Sequence, residues 1–160
     1  MRVLGIDPGL NIAGYGCIEL CSAGDTPRIV EAGAIRLKQG ASLHWRLGQL
    51  YTAISEIVAE LHPDHLAVEQ VFSHARQVRT AILLGHARGV ILLAGAEANL
   101  PLTELAPASI KKSIAGNGQA TKGQMQHAVA SILGLKEPPE PSDVADALAI
   151  AITAATRETC

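Results

Sequence analysis

The chain has little cysteine and no framework in which to use it. Cys17, Cys21 and Cys160 make an odd set, which excludes a paired disulfide scaffold and is expected of a protein kept in a reducing cytoplasm. Cys17 and Cys21 stand close together, but no Cys or His pair follows at zinc-ligand spacing, so both are read as ordinary small side chains. No secretory signal is expected from the opening residues. The chain enters a strand pattern at once, without a basic segment followed by an apolar core. Nor is there a charge-free apolar run of membrane-spanning length. Ala81–Ala98 comes nearest, but it contains His86, Arg88 and Glu97, and charge is costly in hydrocarbon. It is expected to be a buried helix of a cytoplasmic protein that has no membrane association. Finally, the formal charge of −2 does not by itself announce a nucleic-acid partner.

What is present points to a globular α/β protein. With 160 residues, 48% hydrophobic and 18% charged, the chain can bury a real core within one domain, set here at residues 1–157. The charge is uneven. Between Val71 and Lys122 the bases are Arg76, Arg79, Arg88, Lys111, Lys112 and Lys122, against only Glu97 and Glu104. Such a segment is either a phosphate-binding face or scattered solvated charge.

Periodicity then places the elements. Arg2–Ile6 is a short apolar run closed by Asp7-Pro8-Gly9, the mark of a buried central strand. Ala13–Leu20 and Arg28–Leu37 read as two further strands of a meander. A helix is expected over Leu43–Leu61, where Leu47, Leu50, Tyr51, Ile54, Ile57, Val58 and Leu61 form one apolar stripe. A strand follows at His65–Val71, a long helix at Arg76–Ala98 and a strand at Pro101–Leu105. A short helix in P-A-S-I-K-K-S-I comes next, then one capped by Thr121 and a last one capped by Ser142, from Asp143 to Thr156. The order describes a mixed sheet with helices packed against it.

Two acids end apolar strands: Asp7 the first and Glu69 the fourth. In open α/β sheets, function gathers beyond the carboxyl ends of central strands. Asp143 and Asp146, three apart at a helix start, share a face. Each has an ordinary explanation alone. Asp7 suits a turn entry, Asp143 a helix dipole, Asp146 a solvated surface, and Glu69 an ion pair. Together they raise another possibility. At a separation of about 5 Å, each pair would repel by about 3 kcal/mol at an effective dielectric of about 20. Protons or cations would have to offset that. Mg²⁺ takes carboxylates together with waters and substrate phosphate oxygens. Two such ions about 4 Å apart suit phosphodiester hydrolysis, one activating water and one stabilising the leaving oxygen.

At these residues the chain resembles a known family. G-I-D-P-G near the start, A-V-E-Q-V-F in the middle, L-G-H-A-R-G in the long helix and D-V-A-D-A-L-A-I-A near the end are similar, in order and spacing, to the RuvC Holliday-junction resolvases. The resemblance implies a ribonuclease-H-like mixed five-stranded sheet flanked by helices. It also implies a homodimer and Mg²⁺-dependent paired nicking of four-way DNA junctions in recombination and repair. By motif position it makes Asp7, Glu69, Asp143 and Asp146 the catalytic acids, holding two Mg²⁺ per protomer with Mn²⁺ as a substitute. Lys111 and Lys122 match basic positions near the scissile strand. Phe72, the only phenylalanine, matches an aromatic that stacks on bases, with Arg76 and Arg79 nearby as phosphate contacts. The following S-H-A-R-Q-V-R-T lacks an asparagine frequent in the family's loop. A branch-migration motor complex is the implied protein partner. An actin-like ATPase or sugar kinase also carries an Asp before a Gly turn, but needs two such domains. A ribonuclease acting on RNA–DNA hybrids is the nearest enzymatic alternative, and a junction binder without catalysis would lack the four acids.

Overall fold

The apolar run at the start forms strand β1 (Arg2–Asp7), one residue longer than expected, so that Asp7 is its last member. A computed structural model describes residues 1–22, 25–71 and 78–158. β2 (Ile12–Glu19) and β3 (Arg28–Arg36) follow as the antiparallel meander. β4 (His65–Glu69) then lies parallel to β1, and β5 (Leu102–Leu105) parallel to β4. The sheet is mixed and five-stranded, in the order β3-β2-β1-β4-β5.

Side-chain alternation divides this sheet into two faces. Leu4, Ile6, Ala13, Cys17, Leu66 and Val68 point into one core, beneath α1 (Leu43–Leu61) and α2 (Val78–Glu97). Val3, Ile18, Ala67 and Leu105 point into the other. That second core is closed by α3 (Pro107–Ala115), α4 (Lys122–Ile132) and above all α5 (Ser142–Glu158). By the same alternation, Asp7 and Glu69 belong to the α5 face.

Local chemistry accounts for several boundaries. The α1 stripe buries Leu50, Ile54, Val58 and Leu61, and the helix stops where His62 turns left-handed at φ 47° before Pro63. Thr121 caps α4 through a reciprocal box: its hydroxyl accepts from the Gln124 amide, and the Gln124 side chain accepts from the Thr121 amide. Ser142 does not precede α5 but is its first residue, with the Val144 amide bonded back to the Pro141 carbonyl.

The expectation for α2 needs a larger correction. It is not a buried helix. Only Ala87, Ile91, Ala94 and Gly95 are buried, while Val78, Ile82 and Leu93 stand exposed. By length and composition it is the one helix among the described residues apolar enough to cross a membrane. One side packs on α1 and the sheet, and the other has no cover among the described residues. Apolar residues all round are compatible with either state, and so they hid the distinction.

Candidate active site

The site is assembled by two parallel strands and one helix. The β1–β4 ladder runs as far as Ile6 opposite Val68, so Asp7 and Glu69 are the next pair along neighbouring strands, on the α5 face. Asp143 and Asp146 lie in the opening turns of α5. For these to meet Asp7, α5 must lie very close to the sheet, and three strand glycines make that possible. A Cβ at Gly5 would collide with the Ala147 carbonyl, one at Gly14 with the Asp143 carbonyl, and one at Gly16 with the Leu148 side chain. All three lie on the α5 face, at alternate positions of β1 and β2. The strands have given up side chains there so that a helix backbone can occupy the space.

Two clefts meet at Glu69. One, of about 220 Å³, is bordered by Glu69, Asp146, Lys111, Lys122 and Pro107. The other, of about 250 Å³, is bordered by Asp7, Glu69, Val71 and Pro107. The first residues of three helices are therefore neighbours of the acids: Pro107 of α3, Lys122 of α4 and the Asp143 turn of α5. Helix N-termini carry partial positive charge and free amides, which favours carboxylates and phosphate alike.

The electrostatics show how strongly the acids interact. Burial, then the charges of Asp146, Glu69 and Asp143, push the Asp7 carboxyl up to about 8, with Lys122 acting in the opposite direction. Glu69 is raised by burial and by Asp146, against Lys111. Asp146 is raised chiefly by burial, although Lys122 holds it down from 3.3 Å and Asp143 adds a smaller upward push. Lys122 is thus an ion-pair partner of a predicted catalytic acid as well as a lining cation.

These residues fit a divalent cation. Burial and then the facing carboxylates push the Asp7 carboxyl up to about 8, and a cation placed among them would favour its ionised form. Among the described residues, no group of three or more His, Cys, Asp or Glu side chains is drawn together closely enough to hold a metal ion as the side chains stand in this structure. The acids border open clefts instead, as suits an ion that keeps waters and takes substrate oxygens.

Of the remaining predicted residues, Lys111 lines the first cleft and Arg79 stands exposed in the first turn of α2. Phe72 and Arg76 lie outside the described residues. Sequence reasoning missed the Gly5–Gly14–Gly16 seat of α5, although alternate glycines in two successive strands were a visible signal.

The comparisons with known proteins agree with this geometry. The family described as "Crossover junction endodeoxyribonuclease RuvC" matches residues 3–154. A protein of that name from Rhodopirellula baltica is 47% identical over 94% of this chain and 83% of its own. Another, from Pelotomaculum thermopropionicum, is 45% identical over 95% and 91%. Thermus thermophilus RuvC, in a structure with a Holliday junction substrate, superposes with a TM-score of 0.90 at 34% identity, covering 99% of this chain and 97% of that one. The mixed sheet with flanking helices is the ribonuclease-H-like resolvase fold of those structures. A five-stranded mixed sheet, an Asp and a Glu ending its adjacent parallel strands, two more acids on the helix seated over them, and near-full-length identity together place this chain in the RuvC crossover junction endodeoxyribonuclease family.

Proposed function

We propose that the protein is a divalent-metal-dependent endonuclease that resolves Holliday junctions by paired symmetric nicks, in recombination and repair. The observation that carries this reading is the convergence at the ends of β1 and β4 of Asp7 and Glu69 with the α5 acids, where burial and then the charges of Asp146, Glu69 and Asp143 push Asp7 up to about 8. No structural need explains such a cluster, and a relative with 34% identity and the same fold is described in complex with a junction.

In this reading Asp7, Glu69, Asp143 and Asp146 hold two Mg²⁺ ions, with Mn²⁺ able to substitute. Bound there, such ions would polarise the scissile phosphate and favour ionisation of the attacking water. The chain's own contribution is placement. Asp7 and Glu69 are fixed by the strand ladder, and Asp143 and Asp146 by α5. Lys122, held against Asp146 in the free protein, would be available to a phosphate oxygen if that carboxylate were engaged by a cation. Lys111 supplies a second charge along the same cleft. Phe72 stacks on a base and Arg76 and Arg79 hold phosphate at the junction's edge. The expected products carry 5′-phosphate and 3′-hydroxyl ends.

Two equivalent strands must be cut, and one chain has one set of acids. A two-fold dimer supplies the second. The exposed apolar side of α2 is the surface we assign to it. Gly85 and Gly89 have open space beyond them, and Val78 and Ile82 flank them. We place the protein in the cytoplasm, as a single nuclease domain over residues 1–157, serving a branch-migration motor that delivers junctions.

The test is to incubate the purified protein with a labelled four-way junction, a linear duplex and an RNA–DNA hybrid, with and without Mg²⁺. Paired nicks in the junction alone, only with metal, are expected. Preferential cutting of the hybrid would replace this reading with a ribonuclease.

A further inference from the structure

One basic residue of the Val71–Lys122 segment is turned inward. Arg88 lies midway along α2, on the face of the sheet opposite the acids. Its Nε donates to the main-chain carbonyl of Glu69 at 3.3 Å, and the other end of its guanidinium pairs with the Glu104 carboxylate. Its side chain is 19% exposed and that of Glu104 40%.

The position of these contacts matters more than their number. Glu69 is the last residue of β4. Beyond it the Gln70 amide still bonds to the Leu105 carbonyl, and then the strand ladder ends. A carbonyl at the end of a ladder needs a donor, and Arg88 supplies one. Glu104 lies opposite Val68 on β5, one residue before the Glu69 level. The guanidinium therefore ties α2, the end of β4 and β5 together at the residue that carries a predicted metal-binding carboxylate. The Glu69 side chain leaves on the opposite face, so Arg88 never enters the cleft. It fixes the peptide that aims the carboxylate.

Arginine suits this task and lysine does not. A planar guanidinium presents several donors in fixed directions and can serve a carbonyl and a carboxylate at once. An ammonium is a point charge on a flexible stem. A partly exposed ion pair contributes little stability by itself, so stability alone does not account for the arrangement.

We propose that Arg88 is a positioning residue for metal binding: it holds Glu69 in register from behind the sheet, with Glu104 as its anchor. The proposal rests on the metal-dependent nuclease reading above, and the experiment separates the two. Mn²⁺ is titrated into wild type, Arg88→Lys and Arg88→Gln without DNA, and free Mn²⁺ is followed by electron paramagnetic resonance well below each variant's melting temperature. Glu69→Gln serves as the control for a lost ligand. Arg88→Lys keeps the charge, and half-saturation is expected to need about tenfold more Mn²⁺, the cost usual for loss of a group that orients a ligand. Arg88→Gln removes a positive charge, and by field alone would bind Mn²⁺ more tightly. Weaker binding is expected, and that opposite sign identifies positioning. Junction affinity without metal stays unchanged, and cleavage by Arg88→Lys recovers at saturating metal. If both variants melt earlier but titrate as wild type does, Arg88 is merely structural and the proposal fails alone. If wild type neither binds Mn²⁺ nor cuts the junction, both readings fall. Should Arg88→Gln not fold, the lysine variant still decides.

Discussion

The two faces of the sheet are built on opposite principles. On the α5 face, strand glycines let a helix backbone sit directly on β1 and β2, and α5 buries eleven residues from Val144 to Ala155. On the other face, α2 buries four of its twenty residues and leaves Val78, Ile82 and Leu93 exposed. The first arrangement leaves almost no freedom, and it is where four carboxylates must be held at fixed spacing. The second presents an apolar surface that no other described residue covers. In the proposed reading, catalytic geometry and assembly thus fall on different sides of one sheet. Arg88 links them from the α2 side, bonding to the main chain of Glu69, whose carboxylate belongs to the α5 side.

The strongest way to break this contrast is at the acids. Asp7→Asn, Glu69→Gln or Asp146→Asn is expected to lower junction cleavage by about a thousandfold or more, as losses of unitary catalytic groups do, while binding measured by gel shift is retained. Asp143→Asn is expected to have the smallest effect, because its place in the first turn of α5 also serves the helix dipole. Near-wild-type cleavage in any two of the first three would remove the carboxylate site.

Asp7 adds a test by pH. An acid whose folded pKa is raised from 3.8 to about 8 contributes its full stability only below the lower value, and that contribution is lost as pH rises through the interval. In chelator at pH 8, Asp7→Asn is therefore expected to be more stable than wild type by on the order of 2 kcal/mol, about 4–8 °C in Tm. At pH 4 the two should melt alike. Added Mg²⁺ should stabilise wild type at pH 8 and leave the variant unmoved. Equal melting at both pH values in chelator would show that the acids do not strain the fold.

Next in size is the seat of α5. Gly14→Ala places a methyl group against the Asp143 carbonyl, where overpacking costs about 1–3 kcal/mol and lifts Asp143 and Asp146 away from Asp7. Cleavage is expected to fall more than stability alone explains, measured at a temperature where the variant remains folded. Gly48→Ala in α1, with open space around it, is the control and should keep its fold. On the opposite face, Gly89→Leu should obstruct the α2 contact and weaken dimerisation by about tenfold or more at micromolar concentration. Sedimentation gives the answer: a wild-type monomer that still makes paired nicks would undo the division between faces.

Much of the α5 face was legible in the sequence. An acid ending a short apolar strand can be seen in one dimension, and alternation tells which face it takes. The α1 stripe likewise gave both ends of its helix correctly, because one face is apolar and His62-Pro63 stops it. The α2 face was not legible. An apolar helix reads the same whether its own chain or a second one covers it, and that no described residue covers the outer side is seen only in three dimensions. Gly5, Gly14 and Gly16 were overlooked because a glycine in a strand signals weakness until the helix it admits is seen. Arg88 read as one of six bases, since its partners are a carbonyl and a carboxylate brought near by the sheet.

The smallest expected effect sharpens the division among those six bases. Arg88 is engaged within the chain, whereas Lys111 and Lys122 border the acid cleft. If the cleft lysines meet phosphate, each of Lys111→Ala and Lys122→Ala should flatten the slope of log affinity against log salt by about one unit. Arg88→Lys should leave that slope alone. Lys122→Ala should differ from Lys111→Ala in one further respect. It frees Asp146 from its 3.3 Å partner, so the metal-free site becomes more negative and binds the first cation more readily, even as DNA affinity falls. Salt titrations of junction binding in Ca²⁺, paired with Mn²⁺ titrations of the free protein, measure the two effects separately. Unchanged slopes for both lysine variants would make these side chains solvated charge, and the acid cleft would then lack the phosphate contacts assigned to it.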